Sequence, residues 1–63
     1  RNLSEAEIAL INECKSKAEE VGALVAKVRA TPGIDQRWAS IGATDLQTGF
    51  MALVRAIAQP TTF

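Results

Sequence analysis

Four polar side chains in the C-terminal half of the chain, Arg37, Thr44, Thr48 and Arg55, recur at helical spacing. At about 100° per residue they fall within about 40° of one another on a helical wheel, with Ser40 beside them. They form a hydroxyl stripe with an arginine at each end. Guanidinium forks match phosphate, and hydroxyls match phosphate oxygens or base edges, although a solvated helix face also tolerates threonine. In the N-terminal half Asn12, Ser16 and Lys27 share a second outward face within about 60°. Asn12 has the donor and acceptor that a base edge requires, and Lys27 has the charge that neutralises a phosphate.

No catalytic constellation accompanies these groups. The sequence holds one cysteine, Cys14, and no histidine. A nucleophile therefore lacks its commonest base, and the usual zinc frameworks are missing. Glu5, Glu7, Glu13, Glu19 and Glu20 share a segment rich in lysine, where solvated i,i+4 pairs such as Glu13 with Lys17 are the ordinary outcome. Neither a GxxxxGK[ST] nor a GxGxxG phosphate loop occurs. These features argue against an enzyme and give no sign of a metal or cofactor, and Cys14 reads as a small interior hydrophobe in a reducing cytoplasm.

The elements that position the polar stripes are legible from local signals. Ser4 and Glu7 make a capping box, so a first helix is expected over about 5–30. Ile11, Cys14, Ala18, Val21, Val25 and Val28 then recur at alternating spacings of three and four, the seam of a helix that packs on another helix. "ATPGID" breaks the pattern and gives a turn at 31–34, because Pro32 disfavours helical geometry at Thr31 and Gly33 accepts positive φ. Asp35 is the candidate N-cap of a second helix over about 35–59, which Gln59 and Pro60 end. Its apolar stripe is expected to run through Trp38, Ile41, Gly42, Leu46, Gly49, Phe50, Leu53 and Ile57. Two helices of matched length joined by a short turn form an all-α, antiparallel two-helix hairpin, a single domain over residues 1–63.

Size then constrains the rest. A hairpin of 63 residues returns about 25 cal/mol per Å² of apolar burial against roughly 1.5 kcal/mol per ordered residue, which leaves a lone copy near zero. Assembly into a compact helical homo-oligomer is expected, and Leu10, Leu24, Gly22, Ala23 and Ala26 supply apolar and small surface beyond what one partner helix covers. Gly22, Gly42 and Gly49 each cost a helix about 1 kcal/mol against alanine, which points to close backbone packing. Seven basic and seven acidic residues cancel, so no global positive field favours a DNA or RNA duplex. No apolar run reaches the roughly 18 residues that span a bilayer, and no signal peptide is visible. The sequence begins at Arg1, so a few residues are expected to precede it.

The run "QRWASIGATDLQTGFMALVRAIAQP", Gln36 to Pro60, resembles the helical-hairpin domains of the phage anti-CBASS protein 2 sponges, a family related to part of an anti-Thoeris sponge. CBASS is the cyclic-oligonucleotide-based antiphage signalling system. Trp38, Ile41, Thr44, Leu46, Gln47, Gly49, Phe50, Met51, Leu53, Arg55, Ala56 and Pro60 carry the likeness, and "LSEAEIALINE" and "VAKVRA" extend it over nearly the whole chain. The resemblance implies a compact hexamer that holds cyclic dinucleotides and cyclic trinucleotides in separate intersubunit pockets without converting them. Position by position, it implies that Lys27 approaches a dinucleotide phosphate, that Arg55 serves trinucleotide binding, and that Asn12 lies among ligand-contacting positions. The sequence departs from the family pattern in having no tyrosine, so the first helix lacks a Tyr platform for stacking. Trp38 is the remaining aromatic candidate, although its place in the apolar stripe points to core. The ligand-binding expectation is therefore Asn12, Lys27, Arg55, Thr48, Thr44 and Trp38, acting in the host cytoplasm. Two alternatives stand beside it: a coiled-coil hairpin that only assembles, and a sponge for a cyclic ADP-ribose-type Thoeris signal.

Overall fold

The computed structural model describes residues 2–61 and contains two elements, α1 (Glu5–Ala30) and α2 (Gln36–Ala58). Each helix starts where its cap dictates. The Ser4 hydroxyl accepts from the Glu7 amide at 3.1 Å, and the Glu7 carboxylate accepts from the Ser4 amide at 2.9 Å, closing the expected capping box. At the second start, Asp35 Oδ1 accepts from the amides of Arg37 and Trp38 at 3.0 and 3.2 Å. Each cap satisfies N–H groups that a helix cannot pair internally, and is worth about 1 kcal/mol.

The turn between them is fixed from both sides. Thr31 ends α1 in an extended conformation, and its hydroxyl donates to the Lys27 carbonyl at 2.8 Å. Gly33 takes φ +86°, a region closed to most side chains. Gln36 Nε2 then reaches back to the Arg29 carbonyl at 3.1 Å, tying the start of α2 to the end of α1. Because Asp35 is a cap outside the helix, the turn covers 31–35 and α2 starts one residue later than expected. Its end is also one residue earlier: Gln59 adopts the left-handed conformation (φ 48°), and its amide donates to the Arg55 carbonyl at 2.7 Å.

The helices run antiparallel, with Arg29 beside Ala43 and Thr44 near the turn and Cys14 beside Val54 and Arg55 toward the far end. The contact seam of α1 is Ile11, Cys14, Ala18, Val21 and Val25, all half-buried, as its spacing required. Val28, the expected last member, is 38% exposed. In α2 the half-buried set is Ala39, Gly42, Ala43, Phe50, Val54, Ile57 and Ala58. This corrects the expected stripe: Trp38, Ile41, Leu46 and Leu53 stand outside the contact, at 64%, 36%, 42% and 55% exposure, and Gly49 is exposed as well. Small residues admit the neighbouring helix, and the large ones are displaced to its flank. A second correction concerns charge pairing, since Lys17 Nζ lies 3.6 Å from Glu20 rather than pairing with Glu13.

None of the described residues is fully buried. The Cα radius of gyration is 14.5 Å, against about 11 Å for a compact chain of this length. The exposed surface is 5074 Å², against about 3,900 Å² for a compact monomer of equal mass. A single hairpin is a flat, two-helix layer without an interior.

Candidate functional site

The two broad faces of this layer differ in chemistry. In an antiparallel pair the helical rotation runs in opposite senses when viewed from one end, so matching flanks of the two seams fall on the same face. One face collects the flank of α1 bearing Lys15, Gly22 and Arg29 and the flank of α2 bearing Ser40, Thr44, Gln47, Met51 and Arg55. The other collects Leu10, Leu24 and Val28 of α1 and Trp38 and Leu53 of α2, all exposed.

The first face is grooved. Its larger cleft, of 710 Å³, has an apolar floor of Ala18, Val21, Val25, Ala43, Leu46 and Phe50 and a rim of Gly22, Arg29, Thr44, Gln47 and Met51. A smaller one, of 320 Å³, is lined by Cys14, Lys15, Ala18, Phe50, Met51, Val54 and Arg55. They share Ala18, Phe50 and Met51 and so form one continuous groove along the hairpin. Each of the two clefts lies within the volume range of small-molecule sites, roughly 300–1,000 Å³.

Charge is unevenly distributed over this groove. Lys15, Arg29 and Arg55 line it, while none of the seven carboxylates does. A chain with no net charge therefore presents a locally cationic recess with an apolar floor. Such a recess attracts anions more strongly than the global balance suggests, because low-dielectric walls focus the field. Among the described residues no cluster of His, Cys, Asp and Glu could hold a metal ion, and no helix is long and apolar enough to cross a membrane.

The sequence-derived candidates distribute as follows. Thr44 and Arg55 line the groove. Thr48 is exposed one turn after Thr44, outside the lining. Asn12 and Lys27 are exposed on α1 and stand clear of the groove. Trp38 is exposed among the apolar residues of the opposite face, so within one hairpin it belongs neither to a core nor to the polar recess. Sequence reasoning missed Lys15, Arg29 and Gln47. The signal that finds them is handedness: once the helices are antiparallel, the polar flank of α2 must face the α1 flank holding Lys15 and Arg29.

With the geometry established, comparison with known proteins fixes the lineage. The model of the Acb2/Tad1 hairpin domain matches residues 1–58. The chain belongs to this family. Anti-CBASS protein 2 of Pseudomonas phage JBD67 is 79% identical over 24 residues, which are 38% of this chain. That stretch spans only 22% of the phage protein's own length. Family membership accounts for the hairpin and for the flat, coreless layer, since a hairpin domain of this size cannot close a core alone.

Proposed function

We propose that this hairpin binds and sequesters cyclic oligonucleotide second messengers, cyclic dinucleotides or trinucleotides, and so blocks CBASS immunity inside the infected host cell. The observation that carries the reading is the hairpin-domain match over residues 1–58, supported by the partial identity to an anti-CBASS protein. The groove gives it a physical basis. An apolar floor receives bases, and the Lys15 and Arg29 cations in the lining receive phosphodiesters. The protein acts by holding the messenger, with no bond made or broken.

Assembly is part of the proposal. The face bearing Leu10, Leu24, Val28, Trp38 and Leu53 packs against further copies, with a hexamer as the expected particle. Symmetry then brings outward residues of neighbouring copies together, so Asn12, Lys27 and Thr48 join pockets that one hairpin leaves incomplete. Sequestration at nanomolar affinity requires about −12 kcal/mol, which charge-assisted contacts, stacking and water exclusion between subunits supply.

Isothermal titration calorimetry of the assembled protein against a panel of cyclic di- and trinucleotides, with cyclic ADP-ribose included, tests the reading. Submicromolar binding of a cyclic oligonucleotide, with the nucleotide recovered intact after heat denaturation, is the expected result. Absence of binding across the cyclic oligonucleotides at micromolar concentration refutes it.

A further inference from the structure

We infer that Arg29, held in place by Ser40, is a ligand-binding cation of the groove that grips a phosphodiester. This inference rests on the sequestration reading above and names a residue pair within it.

Arg29 Nη2 donates to Ser40 Oγ at 2.9 Å across the two helices. The hydroxyl is neutral, so the contact orients the guanidinium without cancelling its charge. No carboxylate pairs with Arg29 among the described residues, and none lines the cleft into which it faces. A carboxylate three or four residues away on the same helix would pair with a surface arginine. Here Val25 and Ala26 precede Arg29 at those spacings and Pro32 and Gly33 follow it. A guanidinium carries five N–H donors in a planar fork. Ser40 engages one of them, which leaves donors for the paired oxygens of a phosphodiester.

Surrounding groups support the same ligand class. Thr44 and Gln47 line the cleft one and two turns beyond Ser40 on the same side of α2. From Ser40 to Gln47 is about 10 Å along the helix axis at 1.5 Å per residue. A phosphate at Arg29 therefore leaves a hydroxyl and an amide within reach of the sugar and base attached to it. Gly22, on the α1 side of the cleft two turns before Arg29, has no atom within 4 Å of where a Cβ would lie, so that part of the wall is open to an incoming group. Arg29 also sits in the last turn of α1, where its charge opposes the helix dipole favourably. That effect explains a cation at this position but not its tether to the other helix.

The experiment is calorimetry of the full chain in its assembled form, with the cyclic di- and trinucleotide panel, on wild type, Arg29→Ala, Arg29→Lys and Ser40→Ala. Native mass and helicity are measured for each. For the ligand that wild type binds, Arg29→Ala is expected to weaken affinity at least tenfold and to reduce the salt slope by about one. Arg29→Lys keeps the charge but loses the fork and is expected to weaken binding about threefold to tenfold. Ser40→Ala, which frees the guanidinium, is expected to weaken it about threefold with an unchanged salt slope. If wild type binds and Arg29→Ala binds within twofold of it, this inference is overturned while the sequestration reading stands. If Arg29→Ala fails to assemble, Arg29→Lys and Ser40→Ala decide, and wild-type affinity in both overturns it. If wild type binds no member of the panel, the sequestration reading itself has failed.

Discussion

Gly49→Ala separates a lone hairpin from an assembled one, because it should act with opposite sign in the two. Gly49 lies in the middle of α2 and is exposed, and a Cβ built on it meets nothing within 4 Å. Within one chain the methyl costs no packing and removes the entropic penalty of a mid-helix glycine, a gain of about 0.8–1.0 kcal/mol. For a domain of this size that gain raises Tm by about 4–8 °C. In the proposed assembly Gly49 faces a neighbouring backbone on the outward apolar side, one turn before Leu53. An added methyl at a close interface costs about 1–3 kcal/mol, enough to outweigh the helix gain. The expected outcome is a particle that dissociates at higher concentration than wild type and unfolds at lower temperature. Native mass spectrometry across a dilution series and thermal circular dichroism at one fixed concentration provide the readouts. A particle of unchanged mass whose Tm has risen by several degrees would refute the reasoning, since Gly49 would then face solvent in the assembly too.

Three further outcomes follow from the same geometry. Asp35→Ala removes the acceptor for two amides at the start of α2 and should cost about 1 kcal/mol, read as a lower Tm, whereas Asp35→Asn should cost only tenths. Trp38 is 64% exposed in the hairpin, so assembly through its face should shift its fluorescence to the blue, and dilution should reverse the shift in step with the loss of mass; a spectrum that ignores dilution places Trp38 outside the interface. Leu53→Lys should weaken assembly tenfold or more, because burying a leucine is worth about 1.5–3 kcal/mol per copy; a dilution series that matches wild type would contradict the assigned face.

The parts of the fold that were legible in the sequence are those decided within a few residues. Ser4 with Glu7, Pro32 with Gly33, and Asp35 act through bonds between near neighbours, and each stands where its type and spacing required. The α1 seam was legible for a related reason: its members recur at spacings of three and four, a pattern that lies wholly within one helix. In α2 the apolar arc is wider than one neighbour can cover, and hydropathy favours the large residues in it. Helix contact favours small ones, because Ala39, Gly42 and Ala43 let the partner approach, and this preference turned Trp38 and Leu53 outward. Hydropathy alone ranks those two demands in the wrong order.

The candidate site shows the same limit at a larger scale. Thr44 and Arg55 could be found because they lie on one helix, where spacing alone reveals a shared face. Arg29 and Lys15 belong to the other helix, and their relation to Thr44 and Arg55 exists only after the chain has reversed direction. What joins them is topology together with handedness, and no window of sequence contains both. Asn12, Lys27 and Thr48 extend the reasoning one step further. They lie on outward surfaces that one hairpin never brings to the groove, so only a symmetry operation between copies can make them neighbours of a ligand. On the proposed reading the chain carries its binding chemistry at three levels, with Thr44 and Arg55 gathered by a helix, Arg29 and Ser40 by the hairpin, and Lys27 by the proposed assembly. Each level makes a separable prediction about which substitutions disturb binding without disturbing the level below it.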